Sequence, residues 1–131
     1  MEADAMIFDP IRVISRPKKN GIGTHFGVHF PNGIVYDYAM QEGFRQITFE
    51  EFAEVEPVAI VQEIPWHMAH FVRARLEEVT RNPRKYDLLE WNCETFAEWL
   101  TSGVPKSAQV VGAIFLIGIV VALAVAARTR G

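Results

Sequence analysis

Three side chains of different chemistry stand out: the sole cysteine, Cys93, and a histidine and a carboxylate twelve residues apart, His25 and Asp37. Nucleophilic thiol chemistry needs a thiolate, a base to take its proton, and a third group to hold the imidazole. The stretch around Cys93 suits a thiolate. Asn92 is a good N-cap, so Cys93 falls in the first turn of a helix. There, free backbone N–H groups and the positive end of the helix dipole stabilise negative charge. Phe96 and Leu100, one turn apart, give that helix its apolar face, Gly103 is placed to end it and Pro105 stops it. By residue type alone a plainer reading stays open, because a lone cysteine is also a small hydrophobe that cores use readily.

The histidine and the carboxylate must be brought together by the chain. Residues 24–30 alternate cleanly, with Phe26, Val28 and Phe30 on one side and His25, Gly27 and His29 on the other. Pro31-Asn32-Gly33 is a turn, and residues 34–39 form a second strand. A three-residue loop sets Phe30 against Ile34, Val28 against Tyr36 and Phe26 against Tyr38. Every bulky apolar side chain then lies on one face. A two-residue loop would mix Asp37 with Phe26 and Val28, at a cost for the carboxylate. The hydrophobic pattern therefore selects the odd loop, which brings His25 and Asp37 to one face, with Gly27 leaving room between strand and nucleophile. Tyr36 falls on the core face. His29 lies about 13 Å along the strand from His25 at the ~3.3 Å rise per residue.

Other elements frame this hairpin. Residues 11–15 alternate weakly and suggest a first strand. Arg16-Pro17-Lys18-Lys19-Asn20-Gly21 reads as a solvated basic turn that could touch anionic headgroups. Thr48-x-x-Glu51 is a capping box opening a short helix through Phe52. Residues 58–62 read as a strand and 65–80 as a helix. Met68, Phe71, Val72, Leu76 and Val79 form its apolar stripe, and Arg73 and Glu77 an i,i+4 pair. His67 and His70 on that helix read as solvated rather than as metal ligands, since no third or fourth ligand is in sight. No metal or cofactor site is expected, and one cysteine excludes an internal disulfide and a cysteine-based zinc cluster. The sum is an α+β domain, a small antiparallel sheet packed with helices.

Length and charge narrow the function. The 131 residues are 50% hydrophobic and 22% charged, enough for one domain and its core and not for a disordered chain. Residues 1–106 carry 11 basic and 16 acidic side chains, net −5, a poor match to nucleic acid. Residues 110–127 carry no charge at all. As a helix they span about 27 Å, close to the hydrocarbon thickness of a bilayer. Lys106 and Arg128-Thr129-Arg130 flank them and can snorkel to the interfaces. Residues 107–131 thus read as a transmembrane anchor behind a domain of residues 1–106. Gly118, Ala122 and Ala126 offer a small-residue stripe for helix–helix self-association. The acidic start, Met1-Glu2-Ala3-Asp4, is unlike a signal peptide. The expected arrangement is a single C-terminal pass with the domain on the cytoplasmic side.

Gly23-Thr24-His25-Phe26-Gly27-Val28, the Gly33 turn, Tyr86-Asp87-Leu88-Leu89 and Asn92-Cys93-Glu94-Thr95-Phe96 resemble the lecithin retinol acyltransferase-like (LRAT) family. The likeness continues through Gly103-Val104, Ser107, Gln109 and Val110 into an apolar anchor, as in its small membrane-anchored phospholipase/acyltransferase members, and covers about residue 11 onward. The resemblance implies a permuted NlpC-type, papain-like core with the His strand before the Cys helix. It implies a thiol acyltransferase or phospholipase A. Cys93 would attack a glycerophospholipid ester, His25 would act as base and then acid, and a Cys93 thioester would pass its acyl group to an amine, an alcohol or water. The partners implied are a phospholipid membrane, an acyl-donor lipid and an acceptor. The chain departs from the family pattern at Asp37 and Thr95, where the family usually has histidines. Asp37 can still orient an imidazole as a carboxylate.

Two other readings compete. PPPDE isopeptidase-like proteins share the His-first order and a similar Tyr-Asp-Leu-Leu…Asn-Cys segment, which points to a cysteine peptidase, isopeptidase or amidase; the anchor speaks against it. A catalytically decayed, membrane-associated interaction module would explain Asp37 and Thr95 as lost histidines.

Overall fold

A computed structural model describes residues 10–19 and 21–130, the last by its backbone alone. The acidic start of the chain and Asn20 of the basic turn lie outside the described residues. The elements run β1 (Ile11–Pro17), β2 (Thr24–His29), β3 (Ile34–Ala39), β4 (Gly43–Thr48), α1 (Phe49–Ala53), β5 (Ala59–Ile64), a 3-10 turn (Trp66–Met68), α2 (Ala69–Arg81), α3 (Cys93–Ser102) and α4 (Ala108–Arg130). The five strands form one sheet in the order β4-β3-β2-β1-β5, and all pairs are antiparallel. This is the α+β architecture the residue pattern predicts, with the C-terminal apolar helix.

Strand alternation sorts the core into two layers. Val13, Val28, Phe30, Tyr36 and Tyr38 pack with Val72 and Val79 of α2 and Phe96 and Leu100 of α3. On the other face, Ile14 and Val35 pack against Phe52 of α1. Phe96, Leu100 and Phe52 are fully buried, each worth roughly 2–3 kcal/mol in apolar area removed from water. Arg75 of α2 donates to Leu100 O at 2.8 Å, so a cation sits on the negative end of α3. Gly103 ends α3 in the left-handed region, φ 82°.

Several local readings need correction. Strand β4 has no clear sequence signal; its residues alternate only weakly between Gly43 and Thr48. Strand β5 starts and ends one to two residues later than the 58–62 pattern suggests. The helix predicted over 65–80 is a 3-10 turn followed by α2. Its buried line runs through Met68, Val72, Leu76 and Val79, which turns Phe71 to the flank, 48% exposed. Arg73 lies over the Phe30 ring at 5.5 Å, and among the described residues it forms no ion pair with Glu77. Arg16 is not part of a solvated turn. It closes β1, is 7% exposed, donates to Phe52 O at 2.5 Å and pairs with Glu54 at 3.2 Å.

Helix α4 differs from the rest. Ala108–Thr129 is long and apolar enough to cross a membrane, and none of its apolar window is buried against the domain.

Candidate active site

The β2–β3 hairpin has the register that the hydrophobic pattern selects. Val28 faces Tyr36 and Gly27 faces Asp37. Gly33, φ 86°, supplies the left-handed residue the turn requires, and Asn32 accepts from Ile34 N at 3.0 Å. His25 and Asp37 consequently share a face, diagonally across the ladder, and His25 Nε2 lies 2.7 Å from Asp37 Oδ2. Gly27 does make room here, but for a different group. A Cβ at this position would come within 2.7 Å of the Phe52 ring and 2.8 Å of Val35 Cγ1. Phe52 fills that space and stacks on the His25 ring, centroids 5.3 Å apart.

Strand β4 adds a residue that sequence reasoning missed. Arg45 pairs directly opposite Asp37 and holds both carboxylate oxygens, Nε to Oδ1 at 2.8 Å and Nη2 to Oδ2 at 2.6 Å. The signal available was the even spacing from Asp37, eight residues, but it has meaning only once β4 is known to exist.

Cys93 enters from α3. The Asn92 side chain accepts from Thr95 N at 2.9 Å and from Thr95 Oγ1 at 3.1 Å, so Thr95 serves the cap that puts Cys93 at the first helical position. The β2–β3 ladder ends at Gly27↔Asp37. Strand alternation sends Phe30 N–H to Ile34 O, and it sends the backbone groups of Phe26 and Thr24 the same way, past the end of the ladder. The helix start and α4 take them up. The Cys93 thiol lies 3.9 Å from Thr24 O, and the Phe26 amide favours its charged form. The Gln109 carboxamide accepts from Thr24 N at 2.9 Å and donates to Thr24 O at 3.3 Å. The His25 ring is close enough to the thiol for each to shift the other's titration; with Nε2 committed to Asp37, Nδ1 is the nitrogen left for it.

The electrostatics follow from these contacts. Burial of Cys93 opposes ionisation, but the hydrogen bond and charge of His25, the Phe26 amide and the Lys18 charge outweigh it. The thiol pKa falls below its ordinary 9.0. Burial likewise works against a charged His25, yet hydrogen bonds to Asp37 and Cys93 raise it above 6.5. Asp37 is wholly buried, and burial would push it up, but His25 and Arg45 hold it below 3.8. All three directions favour the charged forms: a thiolate, an imidazolium and a carboxylate.

Cys93 is 3% exposed, and on one side its surroundings are polar. It and His25 line an open cavity of about 420 Å³ with Arg16, Lys18, Arg45 and Tyr86. The structure thus brings Cys93, His25 and Asp37 together and adds Arg45, Phe52 and Gln109 around them. Tyr36 stays in the core between Phe30 and Phe44, and His29 packs on Phe49 at 5.5 Å. His67 and His70 are exposed. Among the described residues no group of three or more His, Cys, Asp or Glu side chains could hold a metal ion.

Comparison with known protein families, with curated proteins and with solved structures finds no match for this chain.

Proposed function

We propose that this chain is a thiol-dependent acyltransferase or phospholipase A of the LRAT-like type, acting on glycerophospholipid esters with Cys93 as nucleophile and His25 as base. One observation carries the reading: the Cys93–His25–Asp37 chain of contacts sits where a helix of membrane-spanning length begins. The site's order along the chain, His strand before Cys helix, also suits a permuted papain-like core. A single C-terminal pass would hold the domain on the cytoplasmic face, where ester bonds of the leaflet are within reach.

In this mechanism the Cys93 thiolate attacks the ester carbonyl. Of the first-turn amides of α3, that of Thr95 is taken by Asn92; those of Cys93 and Glu94 point along the helix dipole and suit the oxyanion. The His25 imidazolium gives its proton to the departing lysolipid oxygen. The thioester is then opened by water, an amine or an alcohol, with neutral His25 taking that nucleophile's proton and returning it to the leaving sulfur. Asp37, itself fixed by Arg45, holds the ring with one nitrogen toward the sulfur throughout.

The test is intact mass spectrometry of the full chain after exposure to phosphatidylcholine vesicles. The expected result is an acyl adduct that hydroxylamine removes and Cys93→Ser lacks, with release of lysolipid or fatty acid. Hydrolysis of a peptide or isopeptide panel with no lipid adduct would replace this reading with the peptidase one. Inertness toward both, with native protein and Cys93→Ser alike, would leave a non-catalytic membrane module.

A further inference from the structure

We propose that the first turns of α4 form one wall of a groove that takes a single fatty acyl chain, its carbonyl end at Cys93. The inference rests on the acyl-transfer reading above. It makes the membrane helix part of the substrate site rather than a tether behind it.

A second cavity of about 230 Å³ also has Cys93 in its wall, but its lining differs in kind. Leu88 and Leu89 face Val110, Ala113, Ile114 and Ile117 of α4 across it. The leucines sit on a loop that is held firmly. Asp87 accepts from Leu89 N and Glu90 N, both at 2.9 Å, and exchanges two backbone hydrogen bonds with Trp91, each at 2.9 Å. The opposite wall is fixed as well. Glu94, buried beside Cys93, accepts from Ser107 Oγ at 2.5 Å and Gln109 N at 3.1 Å. Ser107 Oγ in turn accepts from Val110 N at 3.2 Å. One carboxylate on the nucleophile's helix therefore caps the start of the membrane helix. The Gln109 side chain ties the same turn to Thr24, next to the base.

The occupant follows from what lies at the two ends. At one end is the sulfur. At the other, beyond Ile117, α4 continues apolar and exposed to Ala127. An acyl chain leaving the bilayer along α4 would touch apolar side chains all the way to the thiol. Val110 to Ile117 covers two turns, about 10 Å of chain length at 1.5 Å per residue. Away from the thiol the lining is Leu, Val, Ala and Ile, whose side chains offer a peptide backbone no hydrogen-bond partner. Lys18 and Tyr86 line both cavities, so the polar remainder of the lipid has its own space on the cationic side.

The test uses the full chain in phosphatidylcholine vesicles. Alkylation of Cys93 by iodoacetamide, and by N-alkyl iodoacetamides of rising chain length, is followed by intact mass. Ala113→Trp is expected to slow the long-chain reagents at least about tenfold relative to native protein, the factor for losing a few buried methylenes. Iodoacetamide itself should keep its native rate. Ile117→Trp, at the far end, should slow only the longest reagents. Phe115→Trp, on the same helix but outside the groove, should change nothing. Leu89→Trp repeats the test from the loop side in case tryptophan at 113 unseats the helix. Long-chain rates in the 113, 117 and 89 variants equal to those of Phe115→Trp would overturn the groove. A native thiol sluggish toward every reagent would count against acyl transfer alone, because the groove is read from the chain-length ratio and not from the absolute rate.

Discussion

Arg45 and Asp37 face each other across the β3–β4 ladder and are joined by two hydrogen bonds, at 2.8 and 2.6 Å, while one of the same carboxylate oxygens holds His25 at 2.7 Å. Asp37 is wholly buried and Arg45 only partly so. The arginine thus neutralises a carboxylate that would be costly to bury alone, and it fixes the angle at which that carboxylate meets the imidazole. Arg45→Gln is expected to cost about 2–3 kcal/mol in urea unfolding, the scale of a lost charged hydrogen-bond partner at a buried group. It should also lower acyl transfer more than Arg45→Lys, which keeps the charge and loses the fork.

Acid should expose the same carboxylate. Asp37 titrates below 3.8 in the folded chain because His25 and Arg45 outweigh its burial. As pH falls, the unfolded chain takes up this proton first. The stability that Asp37 contributes is therefore whole above its ordinary value and drains away as pH falls through the folded one. Urea midpoints measured from neutral pH downward should drop more steeply below about pH 4 for native protein than for Asp37→Asn. Equal slopes would place the acid sensitivity in other carboxylates.

The hairpin that makes this geometry was legible because its register is overdetermined. Phe26, Val28, Phe30, Tyr36 and Tyr38 can share a face only across an odd loop, and an odd loop sets His25 and Asp37 on one face. The Asn92 cap and the Thr48–Glu51 capping box were legible too, because both are local: the Thr48 hydroxyl accepts from Glu51 N at 3.1 Å and the Glu51 carboxylate from Thr48 N at 3.1 Å. What stayed hidden depends on long-range contact. Arg45 needs β4, whose short weak alternation carries little signal. Arg16 looked solvated because its partners, Phe52 O and Glu54, lie 36 and more residues on. Gly27 offers space on the His25 face, and nothing local reveals that Phe52 fills it.

Cys93 and His25 should titrate as a pair. Against the burial of both groups, His25 holds the thiol below its ordinary 9.0, and Asp37 and then Cys93 hold the imidazole above 6.5. The rate of iodoacetamide alkylation against pH should inflect below 9.0 in native protein. In His25→Ala the inflection should move upward, since burial of the sulfur remains and its cation is gone. Acyl transfer, which needs thiolate and imidazolium together, should rise with pH through the first group and fall through the second. An unchanged inflection in His25→Ala would separate the two residues.

Glu94 offers a test of how the membrane helix is held. Its carboxylate accepts from Ser107 Oγ and Gln109 N, so Glu94→Ala leaves a buried hydroxyl and a first-turn amide without their partner, at about 1–3 kcal/mol. The loss should be local. Amide exchange at Gln109, Val110 and Val111 is expected to speed up by tenfold or more, as about 1.4 kcal/mol per decade requires, while exchange in β2 and β3 stays as in native protein. Glu94→Gln, which keeps an acceptor oxygen, should fall between the two.

Gly27 ties the core to the site through one ring. An alanine methyl there would press on Phe52 at 2.7 Å and Val35 at 2.8 Å, and the backbone leaves neither much freedom, because Val35 lies in the β3 ladder and Phe52 is fully buried. Gly27→Ala should therefore destabilise by about 1–3 kcal/mol through overpacking. It should also disturb His25, since Phe52 stacks on that ring at 5.3 Å. A smaller partner gives the strain somewhere to go. In the double variant Gly27→Ala/Phe52→Leu, the two costs should sum to less than their separate values by 0.5 kcal/mol or more, about the coupling expected of side chains in contact. Strict additivity would mean that the ring does not occupy the space that the glycine leaves.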